Sequence, residues 1–136
     1  MNVFLDTNVA LDFLLKREGF FIAAHNLIAL CLNRGYKIYI SSVSFANISY
    51  LARKGHEGMT VDELLVSLRA MLSVTTCDED TVDRAIAIHP KDFEDAMQYF
   101  SATTVNSDFI ITRDKKGFPL VDIRVLTPQE FIDLVY

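Results

Sequence analysis

Short apolar segments alternate along this chain with longer stretches in which apolar residues recur at helical spacing. The short segments are rich in Val, Ile, Phe and Thr, which favour strands, whereas the longer stretches have the period of amphipathic helices. We predict strands at residues 3–5, 37–40, 73–76, 109–112 and 123–126. We predict helices at residues 9–15, 20–33, 43–54, 60–72, 78–88, 92–104 and 128–135.

Polar residues at the starts of these segments support the predicted helix boundaries. Thr60 with Glu63 forms a capping-box pattern, in which each side chain bonds to the backbone of the other. Ser42 is the expected cap of the third helix, and Thr7 or Asn8 is the expected cap of the first. Strands therefore alternate with helices throughout, which predicts an α/β fold with a parallel sheet covered on both faces.

Length and composition predict a single domain over residues 1–136. The 51% hydrophobic content is high, and the net charge of -5 argues against a general polyanion-binding protein. A nucleic-acid substrate would need local basic residues and bound cations, and an apolar patch covered by a partner chain would explain the hydrophobic excess. Cys31 and Cys77 have no partners at metal-ligand spacing, so we expect neither a disulfide framework nor a zinc site.

No segment has the length and composition of a membrane span or a signal peptide. The expected location is therefore the cytoplasm, without a membrane partner.

Three acids stand at comparable places, beside the ends of predicted strands or in the first turn of a helix: Asp6, Asp95 and Asp114. Parallel topology gathers strand ends at one edge of the sheet, so acids far apart in sequence can converge there. Clustered carboxylates repel unless a cation joins them, and oxygen ligands favour Mg²⁺ or Mn²⁺. Metal-assisted hydrolysis of a phosphodiester is the chemistry that this arrangement favours.

Each acid also has a simpler interpretation. Asp6 could cap the first helix, Asp95 could form a capping arrangement with Asp92, and Asp114 could be a turn residue. Asp92 is also a candidate to replace Asp95 in the site, as is the neighbouring Glu94. Asp12 could pair with Arg17 or support the site, and pairing is the preferred interpretation.

Further polar side chains are candidates for supporting roles. Asn8 follows the first acid closely, and the basic residues Arg113, Lys115 and Lys116 are the best local candidates for RNA phosphate contacts. Tyr50 could stack on a base, although packing in the core or an interface is the preferred interpretation.

Three segments resemble the motifs of PIN domains, and most closely those of the VapC-like toxin branch. They are Val3-Phe4-Leu5-Asp6-Thr7-Asn8, the helix start Asp92-Phe93-Glu94-Asp95-Ala96-Met97-Gln98, and Phe109-Ile110-Ile111-Thr112-Arg113-Asp114 with Phe118 after it. The resemblance implies a three-layer α/β/α sandwich with a mainly parallel sheet. It also implies a metal-dependent endoribonuclease, the toxin of a type II toxin–antitoxin pair, with an antitoxin partner and a homodimeric state. Asp6, Asp95 and Asp114 would be the catalytic metal-binding acids, with Thr112 a hydroxyl in the site.

One position departs from the family pattern. The family commonly has a Glu on the helix after the second strand, where this chain has Asn47. An amide oxygen can bind a metal ion, but it brings no charge and is a poor base. A weakened PIN-like module that binds RNA or a protein therefore stays open as an alternative. A haloacid-dehalogenase-like phosphatase is disfavoured, because its second acid would stand where this chain has Asn8.

Overall fold

Parallel strands form a single central sheet. The strands are Asn2–Leu5 (β1), Lys37–Ser41 (β2), Ser73–Thr75 (β3), Phe109–Ile111 (β4) and Arg124–Leu126 (β5). Their spatial order is β3-β2-β1-β4-β5, and each neighbouring pair is parallel. This computed structural model describes residues 1–119 and 122–136. The predicted parallel α/β architecture is confirmed, and the described sheet is wholly rather than mainly parallel.

Helices connect the strands close to the predicted positions. They are Thr7–Leu14 (α1), Phe21–Asn33 (α2), Ser42–Leu51 (α3), Val61–Met71 (α4), Glu79–Ala87 (α5), Phe93–Thr103 (α6) and Pro128–Val135 (α7), with a 3₁₀ turn at Lys115–Gly117. The Thr60–Glu63 capping box is present at the start of α4. Within the described residues, no helix is long and apolar enough to cross a membrane.

Two of the predicted caps are wrong. Helix α1 begins at Thr7, so Asp6 rather than Thr7 or Asn8 is the N-cap residue. Helix α3 begins at Ser42, and the Ser41 hydroxyl accepts the capping bond from the Ser44 amide at 3.1 Å. In both places the strand passes into the helix without a loop, and the last extended residue therefore becomes the cap.

The strand order places a topological switch point between β1 and β4. From β1 the chain moves outward through β2 and β3, and it then returns to the other side of β1 to form β4 and β5. Leu5 and Ile111 are register partners, so the residues that follow them lie side by side at the carboxyl edge. Crevices at such switch points are where open α/β sheets bind ligands.

Alternating side chains of β1 enter two separate cores. Val3 and Leu5 pack into the larger core, whereas Phe4 packs into the smaller one with Tyr99 of α6. Because successive strand residues face opposite sides, the two cores lie on opposite faces of the sheet. The result is the three-layer α/β/α sandwich that the resemblance implies.

A buried carboxylate ties α1 to the loop after β4. Asp12 is 1% exposed, and its oxygens lie 3.0 Å from Arg113 Nε and 3.6 Å from an Arg17 nitrogen. The Arg113 guanidinium also lies over the Phe20 ring, 4.1 Å from its centre. The preferred interpretation of Asp12 as a partner of Arg17 is confirmed, with Arg113 as a second and nearer partner.

Asp12→Ala is expected to lower the free energy of unfolding by about 2 kcal/mol. The change leaves both arginines without their carboxylate, and the cost stays below that of a fully buried pair because both arginines partly reach solvent. Urea unfolding at pH 7 measures the loss, with the exposed Asp133→Ala as the matched control. A loss no larger than that of the control would contradict a stabilising role for the pair.

Candidate functional site

The Asp6 carboxylate lies at the switch point with a donor on each oxygen. Gln98 Nε2 donates to Oδ1 at 3.0 Å, and the Thr112 hydroxyl donates to Oδ2 at 2.8 Å. Gln98 comes from α6 and Thr112 from the end of β4, and both are buried, as is Asp6 itself. The Asp6 side chain makes no capping bond to α1, so its orientation is set across the sheet edge and not by the helix that it precedes.

A pocket opens above Asp6, and all three predicted acids line it. Its lining residues are Asp6, Thr7, Asn8, Asn47, Tyr50, Leu51, Asp92, Glu94, Asp95 and Asp114. The structure thus brings together residues from α1, α3, α6 and the loop after β4. Three of the residues predicted to have supporting roles also line this pocket: Asn8, Asn47 and Asp92. Thr112 is buried outside the lining and contacts the Asp6 carboxylate.

The first turn of α6 places Asp95 in the pocket. The Asp92 carboxylate accepts the Asp95 amide at 3.0 Å and is the N-cap of α6, so the capping bond predicted for this pair is present. Capping uses the Asp92 side chain and leaves the Asp95 carboxylate available. Gly117 packs so closely that an added Cβ would overlap the Asp95 carboxylate. A side chain at this position would therefore displace the Asp95 carboxylate, which the sequence pattern alone did not reveal.

Asp114 closes a turn while it faces the pocket. One carboxylate oxygen accepts the Lys116 amide at 3.1 Å, and the Asp114 amide donates to the Thr112 hydroxyl at 3.3 Å. The turn-residue interpretation is thus confirmed, and Asp114 also lines the pocket, whereas its role as a metal-binding acid stays a prediction.

The helix α3 side of the pocket contains two features that sequence reasoning did not assign correctly. Asn47 Nδ2 donates to Glu94 Oε1 at 3.0 Å, so the amide at the expected Glu position holds a Glu from α6. Tyr50 is 64% exposed and stacks against Arg53, so it does not pack in the core, and its packing in an interface stays a prediction. The Asn47–Glu94 contact has no sequence signal, because it depends on how α3 lies against α6, whereas Tyr50 and Arg53 are only three residues apart.

Negative charge accumulates in the pocket, and Asp95 shows its effect most clearly. Burial, followed by the charges of Asp6, Asp92, Glu94 and Asp114, raises the pKa of Asp95 from 3.8 to about 7. Burial also raises the pKa of Asp6, although the Thr112 and Gln98 hydrogen bonds oppose that rise. No Lys or Arg is among the described residues that line the pocket, so the repulsion there is uncompensated by the chain.

The donor set of this pocket fits a hard divalent cation. The side-chain oxygens that line it belong to carboxylates, amides and hydroxyls, and the acids repel one another in the absence of a cation. Among the described residues, no three acidic, His or Cys side chains converge tightly enough to enclose an ion by themselves. Mg²⁺ commonly binds through one or two carboxylates and keeps several waters, so an open acidic pocket suits it better than a closed cage would.

The basic residues predicted to contact phosphate lie outside the pocket lining. Arg113 is engaged by Asp12, and Lys115 Nζ contacts Glu130 at 2.9 Å. Lys116 lies with Lys91 in a neighbouring depression that also includes Gly117. The phosphate-contact role of Arg113, Lys115 and Lys116 stays a prediction, and the geometry favours Lys116 over the two paired residues.

Several solved structures of other proteins have a fold similar to that of this chain. VapBC2 from Rickettsia felis, bound to a DNA fragment from its promoter, has a similar fold, with a TM-score of 0.71 and 16% identity over 92% of this chain and 97% of that chain. VapC20 from Mycobacterium tuberculosis, a sarcin-ricin loop cleaving toxin, has a TM-score of 0.68 and 15% identity over 88% of this chain and 98% of that chain. DNA-bound VapBC from Salmonella typhimurium has a TM-score of 0.66 and 18% identity over 94% of this chain and 98% of that chain.

These identities are low, so the similarities to solved structures establish the fold alone. No curated protein sequence matches the chain. The sequence profile of the PIN domain matches residues 2–116, which is most of the chain. Together with the acid-lined pocket at the switch point, this match shows that the protein belongs to the PIN domain family.

Proposed function

We propose that this protein is a Mg²⁺- or Mn²⁺-dependent endoribonuclease and the toxin of a type II toxin–antitoxin pair. The observation that carries the proposal is the convergence of Asp6, Asp95 and Asp114 in one pocket of a PIN domain. One of the proteins of similar fold is a sarcin-ricin loop cleaving toxin, which supports RNA as the substrate class. Membership of the PIN family removes the support for the phosphatase alternative.

The chain's own residues have separable roles in this proposal. Asp6, Asp95 and Asp114 would hold the cation, and Gln98 with Thr112 orients Asp6 and opposes the rise of its pKa by donating to its two oxygens. When bound, the cation would act as a Lewis acid toward the scissile phosphate and lower the pKa of water. The acidic lining repels a polyanion without the cation, so substrate binding and metal binding are expected to be coupled.

Substrate contacts beyond the acids would come from the pocket rim. Exposed Tyr50 offers a face on which an unpaired base can stack, and Lys116 with Lys91 offers charge in the adjacent depression. An RNA strand bound at the acids would contact Tyr50 within the pocket and the two lysines in the adjacent depression.

A protein partner belongs to the same proposal. Several of the proteins with similar fold were solved as VapBC complexes, which supports a cognate antitoxin for this chain. Exposed apolar side chains, among them Ile22, Val66 and Ile86, supply surface that a partner or a second copy would cover. The homodimeric state is part of the proposal on the same ground.

Asp6→Asn is expected to reduce metal-dependent RNA cleavage by at least about 100-fold, because it removes the charge at the centre of the site. The fold should survive, since the Asn Oδ1 can still accept from Gln98 Nε2 while the new NH₂ group donates to the Thr112 hydroxyl, which accepts as well as donates. Cleavage of a mixed RNA panel in Mg²⁺, Mn²⁺ or EDTA measures the effect, with circular dichroism as the check on folding.

The exposed Asp133→Asn is the matched control for this experiment. Wild-type cleavage by Asp6→Asn would overturn the site assignment. RNA binding by the wild-type protein without cleavage in either metal would instead support the weakened-module alternative.

Asp95→Asn is expected to stabilise the metal-free protein at pH 8 by on the order of 1 kcal/mol. The folded-state pKa of Asp95 is raised to about 7, so the folded protein holds this proton more tightly than the unfolded chain does. The stability that this group contributes is therefore complete below about pH 4 and is lost as pH rises through about 7. The advantage of the Asn variant should grow over the same range.

Urea unfolding in EDTA at pH 5 and pH 8 measures this difference. Saturating Mg²⁺ should reverse the order at pH 8, because the ion binds more tightly to, and so stabilises more, the protein that retains the carboxylate. A variant that is less stable than wild type in EDTA at pH 8 would contradict the repulsion account.

A further inference from the structure

Asn47 stands where the family resemblance leads to the expectation of a Glu, yet the pocket has two acids besides Asp6, Asp95 and Asp114: Asp92, whose side chain caps α6, and Glu94. Glu94 lines the pocket, and its carboxylate accepts a hydrogen bond from Asn47 Nδ2 at 3.0 Å. We propose that Glu94, positioned by Asn47, supplies the fourth acidic group to the divalent cation. This inference rests on the proposed function, because it assigns a residue to the same cation site.

The location of Asn47 is fixed by a buried hydroxyl network at the start of α3. Ser44 Oγ lies 2.7 Å from Thr7 Oγ1 and 3.0 Å from Ser41 Oγ, and all three residues are buried. Thr7 follows Asp6 directly, so this network ties the first turn of α3 to the first acid of the site. Asn47 lies one turn further along α3, above that anchor, and projects into the pocket.

The location of Glu94 is fixed by the first turn of α6. It directly precedes Asp95 and follows Asp92, whose side chain caps the helix. Consecutive helix residues project about 100° apart, so Glu94 and Asp95 approach the pocket from different directions. The Glu94 side chain extends from α6 to Asn47 on α3, and both residues line the pocket.

The chemistry of the pair suits this role. The Asn47 amide donates to one carboxylate oxygen, Oε1, and among the described residues no side chain donates to the other oxygen. An amide partner orients the carboxylate without adding a second charge, whereas a Glu at position 47 would place two carboxylates against each other. The pair therefore delivers one oriented carboxylate to the α3 side of the pocket, with the charge supplied from α6.

A purely structural interpretation makes the opposite prediction for one variant. In Glu94→Gln the side-chain carbonyl can still accept from Asn47, so the contact between α3 and α6 is kept and only the charge is lost. A structural tie predicts no change in cation affinity for this variant. The proposed role predicts that Mn²⁺ binding weakens by about 10-fold or more, in the range seen when groups around a metal are removed.

The test is Mn²⁺ titration calorimetry on the full chain, with RNA cleavage measured in parallel. The variants are Glu94→Gln, the exchange variant Asn47→Glu/Glu94→Gln, and the control Glu79→Gln, which removes a first-turn acid of α5 outside the pocket. In the exchange variant the amide introduced at position 94 can donate to the new carboxylate at position 47, so the hydrogen bond is kept with its direction reversed. We expect Mn²⁺ affinity to return to within about 3-fold of wild type.

The outcomes separate this inference from the proposed function. Absence of Mn²⁺ binding by the wild-type chain would overturn the proposed function, and this inference with it. Wild-type binding with an unchanged affinity in Glu94→Gln would overturn this inference alone. If Mn²⁺ binding weakens in Glu94→Gln and the exchange variant fails to restore it, this inference is also overturned. A carboxylate on the α3 side of the pocket would then not account for the lost affinity.

Discussion

The site depends on the placement of one buried carboxylate at the junction of two strands. Asp6 follows β1, and the register of β1 with β4 brings Thr112 beside it while α6 brings Gln98 to its other oxygen. A buried carboxylate is costly unless its oxygens receive donors, so these two hydrogen bonds are the condition for having an acid there. Their donors come from distant parts of the chain. A correctly oriented Asp6 therefore requires β1 paired with β4 and α6 packed beside them.

Around this acid the protein accumulates charge that its own side chains do not neutralise. The raised pKa of Asp95 is the clearest sign, because burial and four neighbouring carboxylates act on it in the same direction. Elsewhere the chain pairs its buried acid, as Asp12 with Arg113 and Arg17 shows. The contrast indicates that the pocket is unfavourable for stability in the absence of a ligand. In the proposed function a divalent cation offsets that cost, so the repulsion between the carboxylates favours binding of a cation.

The sequence predicted the sheet because its strands are short, apolar and separated by well-capped helices. Asp6, Asp95 and Asp114 were identifiable because each stands beside a recognisable boundary, and the resemblance to PIN domains joined them. The caps of α1 and α3 were misplaced by one or two residues because the strands enter these helices without a loop. Gln98, Gly117 and the Asn47–Glu94 contact were beyond sequence reasoning, since each depends on the packing of α6 against another element. Tyr50 is a large aromatic residue of the kind often found in cores, yet it lies on the exposed side of α3.

The central claim is that these carboxylates form one cation site at the switch point of the sheet. Anomalous diffraction from crystals of the full chain grown with Mn²⁺ tests it most directly, because the ion is located without reference to activity. The account predicts an anomalous peak in the pocket, within coordination distance of Asp6 and Asp95. A protein that cleaves RNA in Mn²⁺ but shows its Mn²⁺ peak elsewhere, or shows none at this pocket, would contradict it.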